Sequence, residues 1–159
     1  MGVPRYSPRD FCDQPKQFGK SPNVTFRAKA LADSELLNTP GDKFRRDRME
    51  ALVSAARMQH DYARAIRKIL QTKNLSQLAY GLSVGVSRRR IVAMLTGEAV
   101  MHLEDIAWAE HALGSVAGLV RFNERRQRLL ETRRLIDEIL SEEGGDDCAT
   151  GTLPSTDPG

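Results

Sequence analysis

Twice between Asn74 and Ser87 a helix stop is followed two residues later by a helix cap. The first pair is Asn74 and Ser76, and the second is Gly85 and Ser87. Asparagine and glycine both accept the left-handed conformation that ends a helix, and a serine hydroxyl accepts a hydrogen bond from the first free N–H groups of the next. Gly97 and Gly114 repeat the stop further on. These marks leave room only for short helices, over about 76–83, 87–96 and 103–113. The turn between the first two must be sharp, and Gly85 supplies the positive φ it needs. Gly81 lets those two helices approach closely.

Upstream, Met49, Leu52, Val53, Ala56, Ala63, Ile66, Ile69 and Leu70 recur at spacings of three and four, with a gap near His60. That is helical periodicity. No Gly or Pro interrupts it, so one long helix from about Asp42 to Lys73 is favoured over two helices with Asp61 as a second cap. Downstream, Phe122, Leu129 and Ile136 lie seven apart and Leu119 and Leu140 flank them, within a single helix over 117–142. Arg126 and Arg133 interrupt its second seam. Ile91 and Met94 share a face and are expected to bury against Ile66, Leu70 and Tyr80. The fold class expected is all-α: a compact helix-turn-helix domain of four to five helices, a long N-terminal helix extension and a C-terminal helix.

The expected organisation is a flexible basic arm over 1–40, a helical extension over 41–60 and the helix-turn-helix domain over 61–114. The 117–142 helix, a candidate for dimerisation, and a disordered acidic tail over 143–159 follow. The arm is rich in Pro, Ser, Asp and Lys and shows neither a period of 2 nor one of 3.6. The tail after Gly144 carries three acids and no base.

Charge is concentrated in the middle of the chain. The formal net charge is only +3, yet from Lys43 to Lys73 nine Lys/Arg stand against three acids. That favours a polyanionic partner. Cys12 and Cys148 form no CxxC pair, and His60, His102 and His111 make no ligand cluster, so neither a disulfide framework nor a metal site is expected. No apolar run reaches membrane-spanning length and no signal-peptide core is present, which implies a cytoplasmic, reduced protein. A nucleophile–base pair, a Gly-rich phosphate loop and a carboxylate cluster are all missing, so an enzyme, a cofactor and a small-molecule ligand are not expected.

Residues 66–114, without insertion, resemble the lambda-repressor-like, Cro/repressor (XRE-type) helix-turn-helix family. "IRKILQTKNLSQ" looks like the end of its first helix and the start of its second, with Gln77 at the helix-2 glutamine. Tyr80 and Val84 take core places, Gly85 the turn glycine and Val86 the apolar residue after it. "SRRRIVAMLTG" looks like the recognition helix, and "LEDIAWAEHALG" like the fourth helix, with Leu103, Ile106 and Leu113 in core places.

The resemblance implies a double-stranded DNA partner. Gln77 and Ser87 become phosphate-facing or edge-reading positions. Arg88 and Arg89 become the major-groove readers, with Ala93 one turn on. Arg90 is assigned to phosphate, and Lys73 and Arg67 to the DNA backbone. Arginine is the residue most often bidentate to guanine, so a G·C-containing half-site is expected. Cations in the first turn of a helix are unfavourable by roughly 0.3–1 kcal/mol each, a sign that a polyanion would reverse. The function implied is a transcriptional regulator, a repressor of bacterial or phage type acting as a homodimer on two half-sites.

The chain also departs from the family. Glu98 would face phosphates poorly. Glu110 takes a small apolar place, and Trp108, expected with Tyr80 in the core, is large for its place. Val92 and Leu95 are apolar where polar residues are common. They imply an extra covered surface, shielded by the 43–60 extension or the C-terminal helix. They also motivate an alternative, a helix-turn-helix protein-interaction module, antitoxin-like or a regulatory subunit.

Overall fold

The computed structural model describes residues 6–27 and 42–143. Its secondary structure is all-helical, with five α-helices and no strand among the described residues. The first, α1, runs unbroken over Asp42–Thr72, so the long-helix reading holds and there is no break at 60/61. Ala56, Ala63, Ile66 and Leu70 are buried along one face. The gap in its apolar spacing is filled by two polar residues, Gln59 and His60, which are buried as well.

Asn74, with φ +51°, stops the helix. The Leu75 N–H closes the turn on the Leu70 carbonyl at 2.8 Å. α2 (Gln77–Ser83) and α3 (Arg88–Leu95) follow. Ser76 accepts from the Ala79 N–H at 3.0 Å and Ser87 from the Arg90 N–H at 3.3 Å, the two caps expected from the serines. Gly85, at φ +69°, makes the turn between them. A Cβ on Gly81 would lie 2.5 Å from the Val86 carbonyl oxygen, which shows how closely the turn passes over α2. α4 (Leu103–Leu113) and α5 (Val116–Glu143) complete the set. Ile91 and Met94 join Ile66, Leu70 and Tyr80 in one buried cluster, as the spacing predicts. The chain divides into two units after Val120. Val116 and Val120, in the first turns of α5, belong to the buried cluster of the first unit.

Residues 6–27 correct the expectation of a flexible arm. They form two 3₁₀ turns, Pro8–Phe11 and Pro15–Gln17, and a single backbone bridge pairs Cys12 with Phe26. Phe11, Cys12 and Phe18 are buried. Gly97, at φ +72°, lies so close to the Phe18 ring that a Cβ there would meet it at 2.8 Å. The Gly19 N–H donates to His60 Nδ1 at 2.9 Å, and His60 Nε2 donates to the Ser21 carbonyl at 3.0 Å. This bonding defines a neutral imidazole, with Nδ1 the acceptor. Edge-on contacts with Phe18 and Phe26 surround it. Burial, with the Arg64 charge acting the same way, holds its pKa down to about 4, against a smaller opposing effect of the Ser21 bond.

The segment escaped the periodicity test because it is held by single aromatic anchors rather than by a repeating face. The rest of the 1–40 assignment, and the acidic tail from Gly144 on, lie outside the described residues.

Candidate nucleic-acid interface

The N-terminus of α3 is open. Ser87, Arg88 and Arg89 are exposed, and among the described residues neither arginine has an ion-pair partner. Serine capping leaves the N–H groups of the first helical residues pointing outward, where they and the helix dipole favour an anion. Gln77 opens α2 and is half-buried, as is Ala93 one turn after Arg89. The structure therefore leaves two guanidinium groups exposed at a single helix end, beside a serine hydroxyl that caps it.

Three of the expected DNA contacts are otherwise engaged. Arg90 Nη2 is paired with Asp105 Oδ2 at 2.8 Å, and the same oxygen accepts the His102 N–H at the start of α4 at 2.8 Å. The triplet thus splits: Arg90 bolts α3 to α4, while Arg88 and Arg89 stand exposed. Burial and the nearby Asp105 carboxylate push the Tyr80 hydroxyl up to about 12, so it stays protonated. Lys73 Nζ donates to the Leu113 carbonyl at 2.7 Å and neutralises the C-terminal end of α4, where a cation is favourable. Arg67 is half-buried; its Nη2 reaches the Leu95 carbonyl at 3.4 Å, its Nε is buried, and burial lowers its pKa. Arg67 belongs to the domain interior, beneath the N-terminal segment.

The departures from the family pattern have structural causes. Leu95 is buried, and a Cβ on Gly19 would lie 2.4 Å from its carbonyl oxygen, so the N-terminal segment passes directly over this end of α3. Glu98 pairs with Arg9 at 2.7 Å, and the Arg9 N–H bonds the Gly97 carbonyl at 3.1 Å. Glu110 Oε2 accepts the Ala117 N–H at 2.9 Å and so caps α5. Two expectations fail on α4. Trp108 is 52 % exposed and meets the His111 ring edge-on, and Leu103 is 84 % exposed. Ile106 and Leu113 do pack inward.

The residue that sequence reasoning missed is Gln59. Its Nε2 donates to the Met94 and Ala99 carbonyls at 2.9 and 2.8 Å, and its Oε1 accepts the Met101 N–H at 2.8 Å. One amide therefore ties α1 to the end of α3 and to the loop that follows. The signal for it was the interruption near His60: a gap in an otherwise apolar face is where a polar side chain reaches backbone across the core. Comparison of the chain with protein-family models, with curated proteins and with solved structures returned no match.

Proposed function

We propose that the chain is a sequence-specific double-stranded DNA-binding regulator of transcription, a cytoplasmic repressor that enters the major groove with α3. The observation that carries the reading is the open end of α3. Arg88 and Arg89 are exposed and unpaired among the described residues, at a helix terminus that disfavours cations until a polyanion arrives. Beside them, Arg90 is spent on Asp105, Gln59 pins the far end of the helix, and the N-terminal segment covers its back. A reading helix needs that rigidity, because base contacts are lost with small misplacements.

Arg88 and Arg89 are the base readers in this proposal, with Ser87 and Gln77 facing phosphate and Ala93 beside the groove. Arg90, Lys73 and Arg67 are withdrawn from the contact set. Repression is steric, by occupation of an operator, and affinity falls with salt through counterion release. Two copies serve two half-sites, about 34–36 Å apart. The activity is binding rather than catalysis and requires no cofactor.

Selection of binding sites from random duplexes, followed by titration at about 50 and 200 mM salt, tests the reading. Arg88→Ala with Arg89→Ala is expected to lose discrimination between selected and random sequence, at about 1–3 kcal/mol per reader. Absence of salt-dependent binding would favour the interaction-module reading. That alternative draws support from Leu78 and Leu82, exposed one turn apart on α2, and from Leu75, exposed in the turn before it.

A further inference from the structure

From Arg121 onward, α5 leaves seven large apolar side chains at least half exposed: Phe122, Leu129, Leu130, Leu135, Ile136, Ile139 and Leu140. Phe122, Leu129, Ile136 and Leu140 gather on one side of the helix, an exposed apolar face of the kind that marks a binding surface, while Leu130, Leu135 and Ile139 lie around its flanks. Its spacing is a heptad seam, with Phe122, Leu129 and Ile136 on one line and Leu119, Arg126, Arg133 and Leu140 on the other. The charge along it is polarised. Residues 121–134 hold six arginines against two glutamates, whereas residues 135–141 hold Asp137 and Glu138 and no base.

We infer that a second copy of this chain occupies the face, with its α5 antiparallel to the first. A parallel pair would stack Arg126 on Arg126 and Arg133 on Arg133 inside the seam, which like charges oppose. The antiparallel pair instead faces Phe122, Leu129 and Ile136 of one line with three residues of the other. The register that sets Leu140 on Phe122 also sets Arg133 on Leu129 and Arg126 on Ile136. The arginine stems lie along apolar neighbours while their heads reach outward, and Asp137 of the second copy lies beside Arg126. The basic half of each helix meets the acidic half of the other. Both halves of a self-complementary interface are thus present in one helix, as a two-fold pair requires.

This inference does not depend on the domain binding DNA, and its test uses the full chain without DNA. Sedimentation is expected to give twice the monomer mass, and Leu129→Glu with Ile136→Glu to return the monomer with helicity retained. Orientation is read from spin labels placed, with Cys148→Ser, at Thr132→Cys or at Asn123→Cys. Antiparallel pairing puts the two position-132 backbones roughly 10 Å apart and the two position-123 backbones roughly 25 Å apart. A monomeric wild type, a dimer that survives the Glu pair, or a short separation at position 123 would each overturn the proposal. A monomeric wild type would also remove the two-copy arrangement from the DNA reading, whereas DNA binding itself stands or falls by titration.

Discussion

Residues 6–27 and the α5 helix beyond Val120 invert each other. The first stretch has no period in its sequence, yet it contributes Phe11, Cys12 and Phe18 to the buried interior. The second has a seven-residue period, yet its apolar residues stand exposed. Periodicity reports which side chains share a face. It does not report whether anything covers that face, nor does it detect a segment held by a few anchors. The arm is a strap over the domain, and the regular helix is the part left open.

The contrast can be broken by truncating one anchor on each side. Phe18→Ala is expected to cost about 3–5 kcal/mol in chemical denaturation, because it empties the space against Gly97 and His60. Ile136→Ala should shift unfolding of the first unit by less than about 0.5 kcal/mol, since Ile136 lies outside that unit and its core. Equal effects would mean that the strap is no more a part of the core than α5 is.

Gln59→Leu is expected to cost roughly 2–3 kcal/mol, because the Met94 and Ala99 carbonyls and the Met101 N–H lose their partner together. The same denaturation experiment reads it.

A smaller, pH-dependent effect sharpens the account of the strap. His60 is neutral in the folded chain, with a pKa of about 4 against the ordinary 6.5. Between those values the unfolded chain binds a proton that the folded chain does not. Stability from this group is therefore complete above pH 6.5 and falls as pH drops toward 4, by roughly 2 kcal/mol at pH 5. His60→Gln should flatten that part of the stability curve. An unchanged slope in the variant would show that another group governs acid sensitivity.

The helix stops and caps were legible because each is a local event. Asn74, Ser76, Gly85 and Ser87 act within three or four residues of themselves, and all stand where their chemistry predicts. The all-α class and the buried Ile91–Met94 face follow from the same short-range rules. What was not legible depends on distant partners. The fate of Arg90 is decided by Asp105, that of Lys73 by the Leu113 carbonyl, and that of Leu95 by a segment some 76 residues earlier in the chain, around Gly19. Trp108 was misassigned for a different reason: its size suggested burial, but its position on α4 faces outward. Of the candidate site, the helix and its first-turn arginines were readable. The division of labour among the arginines was not.

The proposed division, with Arg88 and Arg89 reading bases and Arg90 holding α3 to α4, can be separated by parallel titrations. Binding to a selected operator and to random duplex would be titrated side by side for wild type, for Arg88→Ala with Arg89→Ala, and for Arg90→Ala. The double variant is expected to lose discrimination while keeping its folding stability, since two exposed, unpaired cations leave the helix N-terminus. Arg90→Ala is expected to lower stability, through loss of the Asp105 pair, and to retain sequence preference while folded. Undiminished discrimination in the double variant, or its loss in folded Arg90→Ala, would contradict the account.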